Sequence, residues 1–434
     1  MADKRITTHP KVRKLQRTLY QQAKSKPNWR AWSLYADLCR REFVEEAMSR
    51  VYQNQGGMGC DGYSVQQMME EWETFRNHLE EELKAKTYRP SPVLRVEIPK
   101  DNGGVRQLGI PTVKDRVVQT LLVILLEPIF EADFHDESYG YRPQRNAKQA
   151  VTSISKALYW GKTVAIEADL SRYFDTVCHV RLLRLVKKRV SDGSILKLIK
   201  AFLRVPTVER KGGKTTKTQV HPNTGEGVPQ GGVISPLLAN LYLDKLDKAV
   251  NGLDDHRVKM VRYADDFVIL VRKGYEGILL ARVKAWLSKA KLTLNEEKTK
   301  ITDTEAKGKI EFLGYEISEK TSSRTGNRYI ESRPSKKSER KYRDKIRQEL
   351  NHWTTWRDTH QVIKKVNRIS KGWGNYFEGC NGLKRLRFQN YWLEERVRKW
   401  LSKKHKLKGR SRYKVFNHQY IKDLKLYTLP TQPT

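Results

Sequence analysis

The sequence predicts an α+β protein of two or three domains, and three observations predict it. Stretches with the period-2 alternation of strands and stretches with the 3.6-residue period of helices follow one another irregularly, without the regular alternation of a βαβ array. A chain of 434 residues with 38% apolar content can bury more than one core. From residue 335 onward the strand patterns stop, and what remains reads as basic helices.

The elements follow in order. Across residues 1–53, Leu34, Leu38, Val44, Ala47 and Val51 have the spacing of one or two amphipathic helices. NQGGMGCDG at 54–62 is a Gly-rich loop, and 65–86 reads as one long charged helix. Residues 93–110 predict a hairpin, VLRVEIPK and VRQLGIP about DNGG, because Asn-Gly supplies the positive φ that tight turns demand. A buried helix is expected over 113–134. KTVAIEAD at 162–169 is an apolar strand ending in an acid, 180–190 a basic amphipathic helix, and 207–218 an exposed hairpin about Lys211-Gly212-Gly213-Lys214. The loop GEGVPQGGVISP leads into a helix over 237–250. Strand, turn and strand follow at 258–271, then a helix at 275–290 and further alternation at 310–330.

Charge narrows the class of partner. A net charge of +36, with 20 Tyr and 10 Trp, fits a polyanion-binding surface that carries stacking groups, so nucleic acid leads. Between residues 333 and 414 there are 26 Lys or Arg against 7 Asp or Glu, which makes the C-terminal fifth the strongest electrostatic footprint. Membrane-surface helices would need a wide apolar face. The longest aliphatic run, 121–126, falls far short of the roughly 20 residues that span a bilayer. No signal peptide opens the chain, and Cys39, Cys60, Cys178 and Cys380 form no Cys-x-x-Cys pair. Neither a disulfide framework nor a zinc site is expected, and the expected compartment is reducing and cytoplasmic, with no membrane partner.

The chemistry concentrates in MVRYADDF at 260–267, where two carboxylates interrupt an apolar segment that resumes with VILV. Burying an unpaired carboxylate is expensive, and alone the Asp265-Asp266 pair is most simply a solvated turn. Asp169, at the end of a second apolar strand, changes the balance. Three carboxylates from two adjacent strands could hold two divalent ions about 3.5–4 Å apart, as two-metal phosphoryl transfer requires. Mg²⁺ suits such a site because it takes few protein carboxylates and completes its octahedron with water and substrate phosphates.

TVAIEADLSRYFD with VRYADDFVIL resembles the two palm motifs of reverse transcriptases, and GEGVPQGGVISPLLANLYLDKLD resembles the motif between them in bacterial group II intron enzymes. NQGGMGCDG is similar to that family's N-terminal finger motif, and RVEIPKDNGGVRQLGIPTVKDRVVQ to its fingers motif. ESYGYRP, LTLNEEKTKI and FLGYEI match three more, NRISKGWGNYF resembles the maturase domain, and the likeness runs from about Val12 to about Leu426. The resemblance implies a right-hand polymerase. Its expected parts are a basic helical N-terminal extension (1–53), fingers (54–160), a palm with interleaved fingers elements (161–330), a basic helical thumb/maturase domain (331–414) and a short tail (415–434). It implies an RNA-directed DNA polymerase that extends a primer DNA 3′-hydroxyl with dNTPs on an RNA template. A maturase role in splicing and retrohoming of a group II intron RNA comes with it.

Site residues follow from the same resemblance. Asp169, Asp265 and Asp266 become the ligands of two Mg²⁺, for which Mn²⁺ is a substitute, with Asp266 the least direct and the Leu170 backbone carbonyl assisting. Lys100 and Arg106 across the DNGG turn are a solvated hairpin on residue type alone; under the resemblance they clamp the triphosphate. Gln230, between Pro229 and two glycines, would lie beside the nucleotide, although a plain loop is an equal reading of the residues. Phe174 corresponds to the gate against a ribose 2′-hydroxyl, compatible with its being a core aromatic, and Asp175 reads as a structural hydrogen-bonding acid. Arg116 and Arg142 are candidates for template-backbone contacts. Lys336, Lys337, Arg340, Lys364, Lys365 and Arg368 lie on two helices suited to tracking a duplex. Trp353, Trp356, Trp373, Trp392 and Trp400 are expected mostly in the core, with one or two stacking on RNA bases; Trp373, within GWGNYF, is the candidate contact.

After Trp400 only 34 residues remain, without Cys-x-x-Cys or a His-rich motif, so the HNH endonuclease of longer relatives is expected to be absent. Priming from nascent DNA at replication forks is then the hypothesis, in a bacterial protein associated with the nucleoid when it acts on DNA. Two other readings stay open. One is an RNA-binding splicing factor that keeps the fold without essential polymerase activity. The other is a host-serving reverse transcriptase of repair or defence, of which the retron branch is disfavoured because Asn146-Ala147 is not followed by the required His and no VTG occurs.

Overall fold

The computed structural model describes residues 8–99, 103–211, 214–218, 225–252 and 257–430. Lys100, Asp101, Asn102, Gly212 and Gly213 lie outside the described residues. In chain order the strands are β1 (Val93–Pro99), β2 (Val105–Ile110), β3 (Val164–Ala168), β4 (Thr207–Lys211), β5 (Lys214–Thr218), β6 (Val258–Tyr263), β7 (Asp266–Val271), β8 (Lys300–Asp303), β9 (Ile310–Phe312), β10 (Tyr315–Thr321) and β11 (Arg328–Pro334). They form sheets ordered β2-β1-β4-β5, β6-β7-β3-β8 and β11-β10-β9. Neighbours are antiparallel except β1 and β4, and the mixture of helices with largely antiparallel sheets is α+β, as the sequence predicts.

The β6-β7-β3-β8 sheet is apolar on both faces because both faces are covered. Val164, Ile166 and Ala168 of β3 enter the large core that contains the Val113–Glu131 helix, whereas Ala165 meets a second core with Ile154 and Leu158 of the Ala147–Tyr159 helix. Strands covered twice read as continuous apolar runs, which is why VAIEA and FVILV look alike in sequence. The C-terminal helices Lys336–Glu349, Thr359–Tyr376 and Leu383–Lys404 share a third core built on Tyr342, Ile346, Val366, Leu393 and Trp400. Among the described residues no helix is long and apolar enough to cross a membrane.

Leu34, Leu38, Val44, Ala47 and Val51 lie on two helices, Leu34–Leu38 and Arg41–Asn54, as their spacing predicts, and a further helix, Pro10–Ser25, precedes them. The helix expected over 65–86 is broken at Glu71, whose φ of −103° and ψ of 27° leave the helical region between Val65–Glu70 and Trp72–Lys84. No Gly or Pro marks that break; the Glu71 carboxylate instead accepts the Tyr63 hydroxyl at 2.9 Å. The Ala147–Tyr159 helix was not expected at all, although Asn146 and Gln149 cap it reciprocally.

One buried network braces the β6–β7 hairpin. Arg262, 1% exposed, forms an ion pair with Asp247 at 2.6 Å, and its guanidinium also donates to Asn240 Oδ1, Ser138 Oγ and the Ala264 carbonyl at 2.7–2.8 Å. Burial works against the charge, and the pairing with Asp247 more than offsets it, so the guanidinium holds its proton above the usual range. Asn240 in turn donates to the Gly140 carbonyl at 2.7 Å. At Gly140 a Cβ would stand 2.3 Å from the Ala264 nitrogen, so only glycine lets this segment lie against the turn. Removing one partner of a buried pair strands the other charge. Arg262→Met is therefore expected to lower unfolding free energy by about 3–5 kcal/mol in urea titrations. Combining it with Asp247→Leu should recover part of the loss, the remainder reflecting the acceptors left on Asn240, Ser138 and Ala264.

Candidate active site

Strand pairing gathers the acids. β3 and β7 are adjacent and antiparallel with Ala168 opposite Phe267, so Asp169 and Asp266 emerge at the same end of the sheet. Tyr263 pairs with Asp266 across the β6–β7 hairpin, which leaves Ala264 and Asp265 as a two-residue turn. Ala264 has φ of 60°, a conformation that costs an ordinary residue roughly 1–2 kcal/mol. The Arg262 network described above holds it there.

The carboxylates crowd one another. Asp266 is pushed up to about 7 by desolvation, by the charges of Asp265 and Asp169 and by a hydrogen bond with Asp169, even though its own side chain opens to solvent. Burial, reinforced by Asp169, also raises Asp265. Among the described residues the ammonium that meets them is that of Lys298, whose Nζ lies 2.5 Å from Asp169 Oδ2 and whose proton is held more tightly for it. Acids whose ionisation is disfavoured by their neighbours, and which draw in a lysine, are short of positive charge. Among the described residues no group of three His, Cys, Asp or Glu forms a ready-made metal cage. Hard oxygen donors in this number nevertheless fit a divalent ion that keeps most of its coordination for water and phosphate. Around them the chain is firmly placed: the Asp169 carbonyl accepts the Asn295 N–H at 2.8 Å, and the Ser171 N–H donates to Thr293 at 2.9 Å.

A cavity of about 740 Å³ opens beside these acids and is lined in part by Arg106, Asp169, Leu170, Phe174, Gln230, Asp265 and Lys298. The β1–β2 hairpin is latched to the loop that forms its other wall. Arg106 Nε lies 3.4 Å from Gln230 Oε1, and the Gly109 N–H donates to the Gln230 carbonyl at 2.6 Å. Gly231, with φ of 109°, would place a Cβ 2.3 Å from the Gly109 carbonyl oxygen, so the PQGG glycine is demanded by backbone approach. Phe174 is half-buried against the large core, its carbonyl accepts the Val228 N–H at 2.6 Å, and it also lines the cavity, so the two readings of this residue coexist.

Six sequence-predicted residues thus converge on one cavity, with Asp266 adjoining through Asp169. Others lie elsewhere. Arg142 is buried: its guanidinium binds Glu131 at 2.7 Å, donates to the His135 and Ser138 carbonyls, and lies over the Phe134 ring. It is a corner brace, and every part of the fork that would grip a phosphate is engaged. Arg116 is likewise buried, donating to the Gly57 carbonyl at 2.5 Å, so it ties the Gly-rich 54–62 loop to the helix after the hairpin. Trp373 stacks on Tyr342 at 4.7 Å with Phe377 at 4.9 Å, joining two apolar clusters. It is half-buried against these clusters and Trp400 is fully buried, whereas Trp353 and Trp356 are 79% and 78% exposed. Asp175, read from sequence as a structural acid, is exposed and lines the cavity. Lys336, Lys337, Arg340, Lys364, Lys365 and Arg368 are all exposed.

Two contributors escaped the sequence. Lys298 sits inside LTLNEEKTKI, and only the folding of that loop onto β3 reveals its contact with Asp169. Arg262 adjoins the acid pair, and a charged residue inside an apolar strand was itself a signal that a buried partner existed.

Comparison with known proteins agrees with this geometry. Residues 98–317 match the family described as reverse transcriptase (RNA-dependent DNA polymerase), and residues 340–420 match the group II intron maturase-specific domain. The chain is 32% identical to Protein YkfC of Escherichia coli over 366 residues, covering 75% of this chain and 93% of that protein. It is 29% identical to the group II intron-encoded protein LtrA of Lactococcus lactis over 472 aligned positions, covering 86% of this chain and 75% of LtrA. With an uncharacterized 91 kDa protein in the cob intron of Schizosaccharomyces pombe it shares 27% identity over 80% of its length and half of that protein's. With a sheet that gathers three acids, a hairpin latched across the cavity and both domain matches, this chain belongs to the group II intron-encoded reverse transcriptases and is an RNA-directed DNA polymerase with a maturase domain.

Proposed function

We propose that the cavity takes a dNTP and a primer 3′-hydroxyl, and that Asp169 and Asp265, with the Leu170 carbonyl, hold two Mg²⁺ there while Asp266 acts at one remove. The pairing of β3 with β7, which brings three acids to one end of a sheet, carries this reading. Such ions, when bound, activate the attacking hydroxyl and offset charge on the leaving pyrophosphate. The protein's own part is positioning. Arg106, within reach of Gln230, offers a guanidinium to the triphosphate, while Gln230 and its glycines bring backbone close to the nucleotide. Phe174, anchored through its carbonyl to Val228, fills the space that a ribose 2′-hydroxyl would need. Lys298 orients Asp169.

In this reading residues 54–160 are fingers, 161–330 palm and 331–414 thumb and maturase domain, preceded by a basic extension and followed by a short tail. The exposed cations Lys336, Lys337, Arg340, Lys364, Lys365 and Arg368 follow the backbone of template duplex or of a parent group II intron RNA, with splicing and retrohoming as the outcome. LtrA's description as a group II intron-encoded protein supports the same assignment here.

Asp265→Asn together with Asp266→Asn should abolish dNTP incorporation on a primed RNA template while leaving RNA affinity nearly unchanged; undiminished incorporation would overturn the site. Phe174→Ala should raise the kcat/KM for a ribonucleotide relative to its deoxy counterpart by about tenfold or more. Unchanged discrimination would leave Phe174 a core residue only.

A further inference from the structure

A second concave surface shares no residue with the active-site cavity. It encloses about 620 Å³, and six of its ten lining residues are Arg181, Arg184, Lys188, Lys245, Lys289 and Lys291, with no acid among the ten. Arg181, Arg184 and Lys188 come from the His179–Lys187 helix and its C-cap, at spacings of three and four that put them on one face about a turn apart. Lys245 comes from the Ser235–Asn251 helix, and Lys289 and Lys291 from the end of the Glu276–Lys289 helix.

Elsewhere in this chain five buried arginines that serve the fold are paired with acids. Arg76, Arg142, Arg189, Arg262 and Arg398 each meet a carboxylate and are largely buried. In the groove the pattern reverses. Among the described residues Arg184, Lys188, Lys245 and Lys289 have no ion-pair partner, while Lys291 meets Glu226 at 3.5 Å. Burial, with the charges of Lys188 and Lys248, holds the Lys245 ammonium below its usual range, so the free protein keeps positive charge here at a cost. Arg181 is preset: it donates to the Lys289 carbonyl at 2.6 Å and lies 5.7 Å over the Trp286 ring, which aims the guanidinium without neutralising it. Several uncompensated cations on three helices around one concavity match a ligand that presents repeated single negative charges along a line.

We propose that this groove binds the phosphodiester backbone of a second nucleic-acid segment while the primer–template occupies the active-site cleft. The proposal rests on the polymerase reading only for the identity of what fills that cleft. Its function would be to hold a structured RNA or a target DNA beside the enzyme during synthesis. The contacts are to phosphates and carry no base reading, so their signature is salt dependence.

The test uses the full chain loaded with a saturating, chain-terminated DNA primer on an RNA template, to which a fluorescein-labelled blunt duplex is added and anisotropy is read across a salt series. One arm uses an RNA duplex, the other a DNA duplex of the same sequence. For Arg184→Gln/Lys188→Gln/Lys245→Gln the expected result is at least a tenfold loss of affinity for the added duplex. The slope of log K against log salt should fall by about 2.7, roughly 0.9 for each cation removed. Incorporation on a pre-annealed primer–template should be unchanged, which also reports correct folding; if the triple variant does not fold, Arg184→Gln/Lys188→Gln replaces it with about two-thirds of the slope change. Loss in the RNA arm alone assigns structured RNA, loss in the DNA arm alone assigns target DNA, and loss in both assigns the shared backbone. Coincident affinities and slopes for wild type and variant in both arms would overturn the proposal, whereas loss of incorporation in the Asp265→Asn/Asp266→Asn protein bears on the active site and not on this groove.

Discussion

The ion pair between Arg262 and Asp247, sealed from solvent beneath the β6–β7 turn, is the constraint on which the active end of the molecule depends. Buried pairs add little net stability, because desolvation consumes most of the attraction, but they tolerate few alternative arrangements. Here one guanidinium reaches the Ser235–Asn251 helix through Asp247 and Asn240, the 137–140 segment through Ser138, and the turn itself through the Ala264 carbonyl. Asp265 therefore stands on a turn fixed from three directions. The neighbouring strand supplies Asp169 at the matching height, and the mutual repulsion of the acids is contained by scaffold rather than relieved by spreading apart.

Positive charge has two distinct uses in this chain, and composition alone does not separate them. Arg76, Arg142, Arg189, Arg262 and Arg398 are inward-facing arginines, each satisfied by carboxylates and in several cases by carbonyls as well. Guanidinium suits that work because its planar fork can serve several acceptors at once and it stays charged when buried. Lysines and arginines of the C-terminal helices, and those that line the second concave surface, keep their charge available to a polyanion. Among the described residues the buried charged groups are of both signs, so the +36 excess is not a property of the core.

What was legible in the sequence was whatever local chemistry dictates. β1 and β2 pair as their alternation about Asn-Gly predicts, and β3 and β7 follow from short apolar runs, the first followed by an acid and the second opened by one. The meeting of Asp169 and Asp265 is signalled by two apolar strands that each carry an acid at one end, whereas Arg106, Gln230 and Phe174 are reached only through the resemblance to group II intron enzymes, because their residue types alone fit a solvated hairpin, a plain loop and a core aromatic. For Arg116, Arg142 and Trp373 a one-dimensional pattern does not say how far a polar or aromatic side chain turns inward: the Arg116 and Arg142 guanidiniums are taken up by the Gly57 carbonyl and by Glu131, and Trp373 packs on Tyr342 and Phe377. The break at Glu71 escaped because it depends on a tyrosine hydroxyl rather than on a helix-breaking residue. Lys298 needed the tertiary approach of its loop to β3.

These observations share one claim, that two antiparallel strands present carboxylates poised for divalent cations. A crystal of the protein with a chain-terminated primer–template and a matching dNTP, grown with Mn²⁺, tests it through the anomalous difference map. The account predicts two peaks about 3.5–4 Å apart, one or both ligated by Asp169 and Asp265 and bridged to the triphosphate. A map with the dNTP ordered in the cavity but no peak at these carboxylates would contradict it.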